Sequence, residues 1–340
     1  MRIPSLLASC CLLALATHPV TARESAASFT QVRATGLGAP DHWDYVQFDP
    51  SANRVFVAHG DRVDVVDART GRVLGQVGPL EGAHGTAIAS ELHRGFADSG
   101  ESRSLTVFDL DSLKPVTRLP AGEDADAVAY DGFSRRVFVM NGDSGTISVF
   151  DATTLKPVAT MPIGSKLEFA VSDGHGALFV NLAEAGAVAR IDTRTAQMTA
   201  RWMVPDCVSP HGMGYDDATK RIFTSCVDGK LKVLDAADGH VVASLPIGRG
   251  SDSVAVDTRR RLVFSANASG SLSVVAIRDA GHFDVRPSLR TPRGARTMAV
   301  DPATGRIYLA SATVRATAVP PGGRPSFTPG SLKLLMFDPR

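Results

Sequence analysis

The sequence predicts an all-β fold, a seven-bladed β-propeller closed by an N-terminal strand that pairs with the last blade. Three observations predict it. A unit of roughly 42 residues recurs seven times. Each unit reads as short apolar strands parted by turns rich in Gly, Asp, Asn and Pro. The last unit stops after its third strand, and a spare strand stands near the start of the chain.

The first 22 residues read as a secretory signal peptide. Arg2 supplies the positive start, 3–16 the apolar stretch, and Val20-Thr21-Ala22 a small-residue cleavage pattern. Leu7-Ala8-Ser9-Cys10 would fit a lipid-attachment box, but it lies close to Met1 and the apolar run continues past it. Residues 23–340 then form one propeller domain, secreted or periplasmic. No later stretch approaches the roughly 20 apolar residues of a membrane span. Loss of the signal removes Arg2 from 36 basic side chains, leaving 35 against 35 acidic ones. Such a balanced chain has no overall field for a polyanion.

The clearest repeat copies pair an inner strand ending in Asp with a second strand. They are Tyr45-Val-Gln-Phe-Asp49 with Arg54-Val-Phe-Val, and Ala127-Val-Ala-Tyr-Asp131 with Arg136-Val-Phe-Val. Others run Gly212 to Asp216 with Arg221-Ile-Phe-Thr, Ser253 to Asp257 with Arg261-Leu-Val-Phe, and Thr297 to Asp301 with Arg306-Ile-Tyr-Leu. Weaker copies begin at Gly85 and Phe169. Third strands end in Asp, as in Thr106-Val-Phe-Asp109 and Ser148-Val-Phe-Asp151; fourth strands end near Pro, as in Val116-Thr-Arg-Leu-Pro120. The third strand of the last copy is 332–337. Its missing partner is 29–34, and pairing the two removes an open sheet edge.

These repeats resemble the YVTN-repeat, YncE-like family of exported seven-bladed propellers. The likeness runs from Phe29 to Phe337 and is carried by the Asp49-Pro50 turn, the Val-Phe-Val and Val-Phe-Asp strands, and the stretch Arg293-Gly-Ala-Arg-Thr-Met-Ala-Val-Asp301. It implies a fold more than an activity. Related propellers include lactone hydrolases, an antibiotic-ring lyase, nucleic-acid binders and binding proteins.

Aligning the copies yields a column five residues before Asp49 and its equivalents: Asp44, His84, Asp126, Glu168, His211, Asp252 and Arg296. Each stands where the innermost strand of its blade begins, so the column should ring one mouth of the central channel. A wet position would accept any polar residue, Ser, Thr and Asn included. Ionisable side chains make up only 80 of 340 residues, yet all seven positions carry one. The column is therefore the expected channel-mouth ligand site. Clustered carboxylates with imidazoles suit a divalent metal ion as a possible cofactor, with His84, His211, Asp126 and Glu168 as candidate ligands.

Second-strand ends at His59, Ser99, Asn141, Cys226, Asn267 and Ser311 should reach the same mouth. Cys207 precedes the His211 strand there, and with Cys226 it is the expected disulfide of an exported protein. The Pro- and Gly-rich insertion 313–330 leaves from this face, and as a lid it would bring Arg315 and Arg324 to the channel. Trp43 and Trp202 are expected as packing residues, His175 and His240 as surface residues.

No nucleophile elbow, zinc-protease motif or phosphate-binding loop is present. No basic stripe with interleaved aromatics supports nucleic-acid binding. The sequence thus points to a monomeric binding or scaffold propeller holding a small molecule, metal ion or protein partner at the channel mouth. The alternatives are a metal-assisted lactone hydrolase or lyase and, with less support, a nucleic-acid binder.

Overall fold

The computed structural model describes residues 28–40, 42–315 and 325–340. The expected signal segment, residues 1–22, and Arg324 lie outside them. The described residues form seven four-stranded antiparallel sheets. Blades 1 to 6 are each built from four consecutive strands, for example Ala125–Asp131, Arg136–Asn141, Thr146–Asp151 and Pro157–Pro162 in blade 3. Inner strands of neighbouring blades touch around the whole ring, and blade 7 touches blade 1. Blade 7 joins Thr297–Val300, Ile307–Ser311 and Leu332–Pro339 to the N-terminal strand Phe29–Gly38. That last pair runs from Phe29 opposite Pro339 to Gly38 opposite Leu332, as the sequence predicts.

The repeat residues each have a structural task. An aromatic residue stands near the start of every second strand, third in blades 1 to 6 and second in blade 7: Phe56, Phe96, Phe138, Phe179, Phe223, Phe264 and Tyr308, all at most 1% exposed. Burying each such ring stabilises by about 1.5–3 kcal/mol, which explains why the column tolerates no small residue. The Asp that ends a third strand closes the next turn. Asp67, Asp109, Asp151 and Asp192 each accept the backbone N–H three residues on and the hydroxyl of that same Thr or Ser.

The Arg that opens a second strand clamps the following blade. Arg94 Nη1 donates to the carbonyls of Ala152 and Thr153 at 2.7 and 2.6 Å, and Arg136 Nη1 to Thr193 O at 3.0 Å. Arg306 reaches Ala68 and Arg69 across the blade 7–blade 1 seam, both at 3.0 Å. Blade 6 departs from the expected frame. Its Asp257 pairs with Leu262, five residues on as in blades 1, 3 and 5, so Leu262 takes the clamp position and Arg261, one residue earlier, turns to Arg278 O of its own blade. Arg260 clamps blade 7 instead, through Pro302 O and Thr304 O.

Candidate functional site

All seven column residues line one cavity of about 240 Å3 at an end of the channel. Asp44, His84 and Arg296 stand just ahead of their inner strands, and local strand irregularity places the other four. In blades 3 and 6 the register skips Asp126 and Asp252, which sit as extra residues between paired neighbours. In blades 4 and 5 the shift spans Glu168 and His211. Such bulges re-aim a side chain that the strand would otherwise send into a blade face. The backbone of the ring is held from neighbouring blades. Tyr45 N donates to His84 O at 2.9 Å, Thr297 Oγ1 to Asp44 O at 2.7 Å, Ser253 Oγ to Arg296 O at 3.1 Å, and Asn181 Nδ2 to His211 O at 2.6 Å.

The ring divides into three groups. His84 Nδ1 donates to Asp44 Oδ2 at 2.8 Å and lies 3.1 Å from Asp126 Oδ1. Asp44, His84 and Asp126 can each turn one ligand atom toward a common point, these atoms all lying within 4.8 Å of one another. His211 Nδ1 donates to Ser209 O at 2.9 Å, which leaves its Nε2 3.4 Å from Glu168 Oε1. Arg296 Nε donates to Asp252, its Nη2 donates to Trp43 O at 3.3 Å, and its guanidinium lies 5.4 Å from the centre of the Trp43 ring. The four expected metal ligands therefore fall in two places. His84 and Asp126 join Asp44, while His211 and Glu168 pair with each other.

Burial and crowding set the charges. Burial pushes Glu168 well above the usual carboxylate range, and Asp126, Asp252 and Asp44 push it further. Burial raises Asp126 to about 7, against the lowering effect of His84. Burial opposes a proton on His84, but the hydrogen bond and charge of Asp44, with Asp126 and Asp98, outweigh it and raise His84 to about 10. Asp252 is raised by burial, although Arg296 lowers it. Burial thus favours the protonated form of Glu168, Asp126 and Asp252 alike.

Four participants escaped sequence reasoning. Tyr45 lines the cavity at 7% exposure, its ring 4.8 Å from that of Phe169, and burial then Glu168 hold its phenol protonated. Asp124 and Lys166 also line it, paired at 3.4 Å; they stand two residues before Asp126 and Glu168. Asp98 lies behind His84. Its Oδ1 accepts the N–H groups of His84 and Gly85 at 2.9 and 2.7 Å, and its Oδ2 is buried with no partner. A signal existed for Asp98: its equivalents are Ala58, Met140, Asn181, Ser225, Ala266 and Ala310, none of them ionisable.

The second-strand ends do not line this cavity. His59 is fully buried and bonds Asp64 and Pro40 O, and Asn141 accepts Gly122 N–H at 2.9 Å. They hold the connections that carry the ring. Cys207 and Cys226 form the expected disulfide, with Cα atoms 5.3 Å apart. Within the insertion, Arg315 is exposed and does not line the cavity, whereas Pro325 and Phe327 come over the mouth. Trp43 packs as expected at 1% exposure but also walls the mouth, with its Nε1 lacking an acceptor. Trp202 stacks on Phe179, and His175 and His240 lie on the surface.

Fold and site define a class: a seven-bladed β-propeller with an ionisable residue from every blade converging on one polar cavity. No family model matches the chain, so its likeness to YVTN-repeat proteins rests on the repeat residues. No curated protein matches it. Among solved structures it is similar to hydrazine synthase of Kuenenia stuttgartiensis, with a TM-score of 0.68 and 15% identity over 78% of this chain and 91% of that one. At that identity the likeness shows the fold alone. In all, 1792 solved chains match, which marks a widely used architecture rather than an activity.

Proposed function

We propose that this protein is an exported binding propeller that holds a small ligand in its ring cavity, and that a divalent metal ion is the ligand its donors fit. The observation that carries this is the convergence of Asp44, His84 and Asp126 inside a cavity to which every blade contributes. Two carboxylates and an imidazole suit Zn, Mn or Fe, whereas an all-oxygen set would suit Ca or Mg. Export is supported by the disulfide, and among the described residues no helix is long and apolar enough to cross a membrane.

A second reading, a metal-assisted lactone hydrolase or lyase, draws on one further feature. Glu168, whose proton burial favours, and His211, with Nε2 turned to it, would serve as an acid–base pair in the ion's cavity. The first test is elemental analysis of protein dialysed against Zn, Mn and Fe salts. Bound metal is expected in the parent and in His211→Ala, and its loss in His84→Ala and Asp126→Asn. Equal metal content in parent and His84→Ala would sink the metal reading. A lactone panel with and without chelator then separates the readings, since only an enzyme loses turnover in Glu168→Gln.

A further inference from the structure

Beside the ring cavity lies a larger groove of about 480 Å3 that shares His211, Asp252 and Arg296 with it. Its remaining walls are mainly apolar: Trp43, Val227, Ala268, Pro325 and Phe327. Phe327 meets the Trp43 ring at a steep angle, centroids 4.6 Å apart. A pocket for a drug-sized molecule occupies about 300–1,000 Å3. The ring cavity falls below that range and the groove within it, so a ligand would place a head group in the first and its body in the second.

Two observations specify the head group. Lys166 pairs with Asp124, Arg296 with Asp252, and His84 with Asp44 and Asp126. Glu168 meets the His211 imidazole at 3.4 Å and has no direct ion pair with a lysine or arginine among the described residues, Lys166 acting on it only from farther off. Tyr45 is more than nine-tenths buried, lines the same cavity, and its hydroxyl has no hydrogen-bond partner among the described residues. A compact cationic donor seated there would favour ionised Glu168, whose carboxylate and the Tyr45 phenol oxygen would then both accept from it. Aromatic walls suit a flat apolar body.

We propose that the ring cavity and the groove together bind one organic cation, its amine head between Glu168 and the Tyr45 hydroxyl and its flat apolar body against Trp43 and Phe327. This rests on the ring cavity being a binding site, but it uses Glu168 rather than the Asp44–His84–Asp126 donors.

Calorimetric titration with 2-phenylethylamine, ethylamine and 3-phenylpropanoate tests it, with metal uptake measured on the same samples. Phenylethylamine is expected to bind at least about tenfold tighter than ethylamine, the margin set by burying its ring. Phe327→Ala should erase that margin and keep metal uptake. Glu168→Gln should weaken both amines about tenfold and keep uptake at the other donors. Equal affinity of the two amines, a margin that survives in Phe327→Ala, or a phenylpropanoate that binds as tightly would each overturn the proposal. Phe327→Leu, with matching thermal melts, keeps the groove filled and guards against misfolding; its margin should fall between parent and Phe327→Ala. Amine binding without metal uptake would sustain this proposal and sink the metal reading. Metal uptake without amine binding at millimolar concentration would do the reverse.

Discussion

Asp98 shows how one residue governs the electrostatics of the ring. It is fully buried, it orients the backbone of His84 and Gly85 through one oxygen, and its other oxygen has no donor. Burial raises it to about 7, while His84 and the two N–H groups pull the other way. A carboxyl raised in this way holds its proton when folded and loses it when unfolded, between about pH 4 and 7. The folded state then binds more protons, so stability falls as pH rises through that window and stays lower above it. Asp98→Asn keeps the oxygen that accepts both N–H groups and removes the charge. It should leave stability near pH 4 little changed and raise it at pH 8 by about 1–3 kcal/mol. His84, raised to about 10, contributes stability that is fully present below its ordinary 6.5 and lost toward pH 10; the hydrogen bond and charge of Asp44 and the charge of Asp126 keep most of it in the variant, which loses only the part Asp98 adds. Thermal melts of chelator-treated protein at pH 4, 5 and 8 check this. Equal losses from pH 5 to 8 in both proteins would show that Asp98 does not carry the effect.

At the scale of elements, the disulfide closes a loop that contains the bulge of blade 5. Cys207 and Cys226 are 19 residues apart, and Ser209 and His211 lie between them. Closing a loop of that size stabilises by roughly 3 kcal/mol in the chain-entropy model. Cys207→Ser with Cys226→Ser should therefore cost about that much in denaturant titration. Unchanged stability would mean that the strand pairing alone fixes this connection. The same element shows what could be read from the chain. Repeats, turn aspartates and the ionisable column recur at near-constant spacing, so strand order, closure and the seven ring residues were legible. Grouping within the ring was not. Whether His211 faces Glu168 depends on how far the bulges of blades 4 and 5 turn their side chains, and whether His84 faces Asp44 on how the chain enters strands that have no bulge; repeat spacing reports neither. Blade 6 shows the converse. A leucine, Leu262, stands at the clamp position, and the clamp passes from the expected Arg261 to Arg260, because clamping needs only a guanidinium within reach of the next turn. Asp98 was marked in the sequence as the one ionisable residue of its column, whereas Tyr45 gained meaning only from its burial.

For the whole molecule, the seam between blades 7 and 1 must bear what chain connectivity bears elsewhere. Three layers hold it. The N-terminal strand pairs with Leu332–Pro339 along its length. On the ring side, Thr297 and Arg296 donate to Asp44 O and Trp43 O; on the other side, Arg306 and Tyr308 donate to Ala68 O, Arg306 also to Arg69 O. The path from strand to ring is fastened as well, by Arg62 to Leu37 O and Ala39 O and by His59 to Pro40 O. Removing residues up to 38 would strip the first layer and uncover an edge whose Leu332, Leu334, Leu335 and Met336 are buried. An apolar edge with unpaired backbone groups pairs with another copy. The truncated protein should melt lower and self-associate, seen by light scattering during size-exclusion chromatography. Because Asp44, Trp43 and Arg296 meet across the seam, its metal and amine binding should weaken in parallel. A truncated chain that remains monomeric and melts with the parent would show that the blade 7–blade 1 contacts close the ring without the strand.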